Sequence, residues 1–149
     1  MIAPPGIVLT GIVLPGAPRA AIAAHVAADY PHEACGLLLG RRHSEHTLIS
    51  QAVASPNLAD DPGHRFEIDP GLRLRLQKAA RDGQDEVLGH YHSHPDGPAR
   101  PSATDRAGIY EVDLVWLIAA VTQAGLQDIA AFMPWADCGG FDDIELNET

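Results

Sequence analysis

With 149 residues, 46% of them hydrophobic, and a mean hydropathy of −0.06, the chain reads as one domain with a continuous core. None of its apolar runs approaches the ~20 residues that span a bilayer. A formal net charge of −10 speaks against a nucleic-acid binder, because contact with phosphates needs a basic surface.

The opening stretch is apolar but has no basic region ahead of it and is broken by Pro and Gly, which argues against a signal peptide. Two cysteines, Cys35 and Cys138, make no disulfide framework, so the expected location is a reducing cytoplasm. Gly6–Pro15 (GIVLTGIVLP) is a β-branched run that predicts a strand. Pro18 then opens a helix to about Tyr30, with Ile22, Val26 and Tyr30 at i, i+4 and i+8, and Pro31 stops it. Cys35–Gly40 is a wholly apolar strand of the kind buried on both faces. His46–Ala54 and Arg65–Ile68 read as two further strands, separated by the polar loop Ser55–Gly63.

Asp69 before Pro70 is a helix start, a capping side chain followed by the residue favoured at the first helical position. Leu72, Leu76 and Ala79 give this helix its inner face, and Gly83 ends it. Glu86–His92 is a strand running into the Pro/Gly loop Pro95–Pro101, and Ser102 with Asp105 starts a short helix. Val112–Thr122 and Ile129–Trp135 read as central strands, and Phe141–Leu146 alternates as an edge strand should. No linker divides the chain, so one α/β domain with a mixed sheet is expected over 1–149.

The chemistry concentrates between Gly89 and Asp105. His92 and His94, two apart on a strand, point to the same face with about 6.6 Å of chain between them, a gap two imidazoles close on one ion. Asp105, returned by the loop to the first turn of a helix, adds an anionic third donor. Three protein donors leave a coordination position for water, the mark of a catalytic zinc site rather than a structural one. His90 shares their parity but lies about 13 Å from His94 along the strand, too far to join the same ion. The run HSHPDG lacks the final His of the metallo-β-lactamase pattern, since Gly97 stands there, and no His follows His94 to complete a cupin or facial-triad iron site.

His92-Ser93-His94, then seven residues, then Ser102-x-x-Asp105, resembles without a gap the His-x-His-x7-Ser-x-x-Asp signature of the JAMM (MPN+) metalloproteases. Upstream, Pro31–Gly40 is similar to that family's helix-to-strand junction, where the catalytic Glu precedes an apolar strand. Phe66–Pro70 is similar to a strand-to-helix step of its compact bacterial members. The resemblance covers roughly Pro18 to Trp135 and implies a JAMM/MPN, cytidine-deaminase-like fold. It further implies one Zn2+ on His92, His94 and Asp105, with Glu33 passing a proton from water to the leaving amine and Ser102 donating to the developing oxyanion. The substrates it implies are amide or isopeptide bonds at the glycine-ended tail of a ubiquitin-like or sulfur-carrier protein, held by strand addition at an exposed edge beside the metal.

Glu33 alone reads as a helix-end residue and Ser102 alone as an N-cap; the linked motif is what gives them roles. Tyr91 and Cys35 read as core, and His25, His32, His43, His46 and His64 as surface or loop residues without ligand spacing. The segment after Asp105 has no His and one Cys, so it has no donors for the second zinc of polyubiquitin-specific relatives. A RadC-like protein linked to DNA repair is disfavoured by the net charge and by EACGLLLG. A non-catalytic MPN scaffold is disfavoured by the presence of all five motif positions.

Overall fold

The computed structural model describes residues 11–149. Much of the strand expected over Gly6–Pro15 lies outside them, and its described part is β1, Ile12–Val13. α1 (Gly16–Asp29) starts two residues before Pro18 and buries Pro18 with Ile22 and Val26, the first two residues of the expected stripe. Tyr30 lies just past its end, and its hydroxyl donates to the Asp96 carboxylate at 2.8 and 2.9 Å.

There follow β2 (Cys35–Arg42), β3 (Thr47–Ser55), α2 (Pro70–Arg81), β4 (Glu86–Pro95) and α3 (Ala103–Ala107). The chain ends with β5 (Val115–Thr122), β6 (Gly125–Pro134), β7 (Phe141–Ile144) and β8 (Leu146–Asn147). The strands form one mixed sheet in the order β7-β6-β5-β4-β2-β3-β1-β8. β4 lies near its centre, antiparallel to β2 and parallel to β5. β4 is flanked by β2 as far as His92 and by β5 from Gly89 to Pro95; the outermost strands among the described residues are β7 and β8.

The expected strand over Arg65–Ile68 is reduced to an isolated bridge between Asn57 and Ile68. The Asn57 side chain bonds the Arg65 carbonyl and the Glu67 N–H, and a single backbone bond runs from the Leu58 N–H to the Glu67 carbonyl at 2.9 Å. In α2 the Asp69 carboxylate accepts from the Gly71 N–H at 2.9 Å, as a cap before Pro70 should. Leu72 and Leu76 are half-buried, but Ala79 is exposed, so the inner face is narrower than its periodicity predicts.

Strand alternation separates two apolar layers. Leu38, Leu88, Tyr91, Leu117 and Ala119 face α1 with Ile22 and Val26, whereas Trp116, Ile118 and Phe132 face the other way, with Phe66 against them. Each fully buried Leu or Ile in these layers contributes about 1.5–3 kcal/mol of transfer free energy. Among the described residues no helix is long and apolar enough to cross a membrane.

Gly36 pairs with Tyr91 across β2 and β4. A Cβ there would collide with the Tyr91 ring and the Val53 carbonyl. Gly36→Ala should therefore cost about 1–3 kcal/mol by overpacking. Urea unfolding checks this, and a variant as stable as the parent would show that Tyr91 has another place to go.

Candidate metal centre

β4 carries His92 and His94 on the face opposite Tyr91. His92 pairs on either side with Cys35 and Ile118 and is fully buried, its ring stacked on Phe66 at 4.2 Å between centroids and 17° between planes. His94, near the strand's end, directs Nδ1 at the Pro98 carbonyl at 2.8 Å. That contact places the proton on Nδ1, so Nε2 of the neutral ring presents a lone pair.

Asp105 arrives from α3, a helix of five residues held by a reciprocal capping box. The Asp105 N–H donates to Ser102 Oγ at 3.0 Å, and the Ser102 N–H donates to Asp105 Oδ2 at 2.9 Å. Three functional side chains thereby converge. Asp105 Oδ1 lies 3.1 Å from His92 Nε2, Asp105 Oδ2 lies 3.1 Å from His94 Nε2, and the two Nε2 atoms are 3.0 Å apart.

Ligand atoms at about 2.0–2.1 Å around a tetrahedral ion stand roughly 3.3 Å from one another. These three groups can supply one donor atom each within 4.8 Å of the others, so their spacing fits a metal. The donor chemistry points the same way. A bare imidazole nitrogen facing both a carboxylate and a second imidazole nitrogen has too few protons to share, and a cation resolves the conflict. Asp105 is the charged member. Burial alone would raise its pKa, but the His92 and His94 rings, which donate to it when protonated, outweigh burial and hold the carboxyl well below the usual carboxylate range. Burial lowers the pKa of His92, against the pull of Asp105. For His94 burial also acts downward, but the bonds to Asp105 and to the Pro98 carbonyl win and raise it.

Glu33 sits in the short connection between α1 and β2 and is 7% exposed. Its N–H donates to the Pro62 carbonyl at 2.7 Å, and its carbonyl accepts from Asn57 Nδ2 at 2.9 Å. The next residue is tied to the metal strand: the Ala34 N–H donates to Ser93 Oγ at 2.8 Å, and the Ser93 N–H donates to the Ala34 carbonyl at 3.0 Å. Burial pushes the Glu33 carboxyl up to about 7, with His94 opposing and Asp105 adding to the rise. A carboxyl poised near neutrality is suited to taking and returning a proton.

A cavity of about 690 Å³ opens beside these groups, lined among others by Glu33, Phe66, Arg73, His90, Asp105 and Trp116. The Arg73 guanidinium pairs with the Glu111 carboxylate at its wall, at 2.6 and 2.7 Å. His90 stays outside the three-donor group. Its ring meets Trp116 edge-on at 4.5 Å, and burial lowers its pKa to about 3, so it is neutral. Ser102 is exposed, and a hydroxyl that accepts from the cap can still donate outward.

Tyr91 and Cys35 are buried as expected. His25 departs from its surface reading: Nε2 lies 3.1 Å from Asp29, and Nδ1 accepts from the Tyr91 hydroxyl at 2.6 Å, which pins α1 to the metal strand. The spacing of His25 within its own helix carries no sign of that distant partner. Three further residues hold the site without a role in the sequence reading: Asn57, inside the polar loop Ser55–Gly63, Ser93, an uncommitted position of the motif, and Phe66, named only as the start of the Phe66–Pro70 step.

The fold and this constellation define a protein of the JAB class. The chain belongs to the prokaryotic homologues of the JAB domain, whose family model matches residues 17–133. It is 36% identical over 92 residues to a desampylase of Haloferax volcanii, covering 62% of this chain and 65% of that protein. It is 34% identical over 89 residues to a CysO-cysteine peptidase of Mycobacterium tuberculosis, covering 57% of this chain and 56% of that one. The chain thus matches between half and two thirds of the length of these curated relatives. A solution structure of a Desulfitobacterium hafniense protein superposes with a TM-score of 0.78 at 33% identity, covering 91% of this chain and 90% of that chain.

Proposed function

We propose that the chain is a zinc-dependent peptidase that hydrolyses the amide or isopeptide bond at the C-terminal tail of a ubiquitin-like or sulfur-carrier protein. The observation that carries this reading is the convergence of His92, His94 and Asp105, with Asp105 and a buried Glu33 both lining one cavity. The names of the two curated relatives, a desampylase and a CysO-cysteine peptidase, support the kind of bond and partner.

His92, His94 and Asp105 would hold one zinc ion, which when bound supplies a Lewis acid that activates water and polarises the scissile carbonyl. Glu33 takes the proton of the attacking water and delivers it to the leaving nitrogen, so that bond breaking does not expel an amide anion. Ser102 donates to the carbonyl oxygen as negative charge develops there. The tail lies in the cavity lined by the 65–68 segment and α3, which Glu33 lines as well.

The reading is tested by incubating the zinc-loaded chain with a small carrier whose Gly-Gly tail is joined to a peptide, to a lysine side chain, or to a single cysteine. Release should occur after the last glycine in at least one of the three and stop on chelation. Cleavage that persists in excess chelator, or at internal peptide bonds only, would sink it.

A further inference from the structure

The side-chain amide of Asn57 is fully used. Nδ2 donates to the carbonyls of Glu33 and Arg65, both at 2.9 Å. Oδ1 accepts from the N–H groups of Ala59 and Glu67, both at 3.0 Å. The amide's orientation is fixed by its surroundings, because a flip would set its NH2 against two donors and its oxygen against two carbonyls.

These four bonds reach three separate stretches of chain: the connection that carries Glu33, the turn at Ala59, and the extended run Arg65–Glu67. That run lines the cavity and holds Phe66 flat on the ring of His92. The same loop supplies Pro62, whose carbonyl accepts from the Glu33 N–H at 2.7 Å. Both main-chain polar groups of Glu33 are therefore held by Asn57 and Pro62, from the loop that continues into the cavity wall at 64–68, while Ser93 holds the residue after it.

We infer that Asn57 is a positioning residue that joins the cavity wall to the backbone of Glu33, so that a peptide seated against Arg65–Glu67 also sets the Glu33 carboxylate against the bond to be cut. This rests on the assignment of Glu33 as the acid/base group. Asn57 acts only through Glu33 and the wall, and its removal lowers the rate of the chemical step rather than substrate affinity. A misplacement of about 1 Å in a reacting group is enough to lose up to roughly a hundredfold in rate.

Asn57→Asp keeps the shape and both accepted bonds but loses both donated ones. It should retain metal as the parent does, lose about 10–100-fold in kcat with KM within about twofold, and expose the Glu33 amide to hydrogen exchange at least ~10-fold faster. The Leu117 amide, in the core of β5, should exchange unchanged. Asn57→Ala should act in the same direction and more strongly, since the bonds from Ala59 and Glu67 are lost too. In the parent itself the Glu33 and Glu67 amides should open in one event with a shared denaturant dependence.

Separate openings in the parent, or a Glu33 amide as protected in Asn57→Asp as in the parent, would overturn the connection whatever the activity. An unchanged kcat alongside an exposed Glu33 amide would overturn the positioning role. If the parent cleaves no glycine-tailed carrier, it is the assignment of Glu33 that falls, and the exchange measurements still decide the connection.

Discussion

Glu33→Gln should bind metal like the parent and lose between about a hundred- and ten-thousandfold in turnover, the usual worth of a positioned acid/base group. Gln preserves the volume and the backbone bonds to Pro62 and Asn57. It removes only the ability to take a proton from water and return it to the leaving nitrogen. KM should stay within about twofold, because the carboxylate is asked to act on the transition state rather than on the bound tail. A Glu33→Gln protein that cleaves at the parent's rate would remove Glu33 from the mechanism and leave the cavity without an acid/base group of suitable pKa.

The same substitution has a second, opposite consequence in the metal-free protein. Burial raises the Glu33 carboxyl from its ordinary 4.5 to about 7. A folded-state value above the unfolded one means that Glu33 contributes stability that is complete below about 4.5 and disappears as pH rises through about 7. Above that, the parent carries a buried carboxylate that the Gln variant lacks. Metal-free Glu33→Gln should therefore be the more stable protein at pH 8, by on the order of 1–2 kcal/mol once solvent screening is allowed for, with the gap closing toward pH 5. Urea titrations at the two pH values measure it. A gain in stability with a loss of turnover is the pattern expected where a site is held in an unfavourable state for function.

Local signals made much of the site legible. Strand parity placed His92 and His94 on one face, and a capping pair placed Asp105 at a helix start; both depend on residues a few positions apart. The connections that hold Glu33 were not legible, because Asn57 is 24 positions from it and Ser93 is 59 positions from Ala34. Arg65–Ile68 has a strand's composition, but whether such a run joins a sheet depends on what faces it. Here a carboxamide takes most of the partner strand's place. The flanking of β4 by β2 and β5 is likewise a property of the whole topology, with no signal in the sequence of β4 itself. His25 misled for the same reason, its partner Tyr91 lying 66 positions away.

On the proposed reading Asp105 has two occupations, and a single substitution separates them. As half of a capping box it accepts from the Ser102 N–H, which needs only an oxygen. As a ligand it must bring negative charge to a buried pair of imidazoles. Asp105→Asn keeps the oxygen and discards the charge. If capping were its whole work, the variant would behave almost as the parent does. As a ligand, its loss should weaken zinc binding by more than the roughly 10–100-fold that follows removal of a mere supporting partner. His92→Ala should abolish stoichiometric binding altogether. The thermal response makes the test quantitative. A metal that binds only the folded chain stabilises it by RT ln(1 + [L]/Kd), about 4 kcal/mol at a thousandfold excess over Kd. The parent's melting temperature should therefore rise with zinc and fall on chelation, whereas that of His92→Ala should ignore both. Retention of one tightly bound zinc by His92→Ala, or an Asp105→Asn protein that titrates like the parent, would mean that the ion sits elsewhere and that the three converging side chains merely bond to one another.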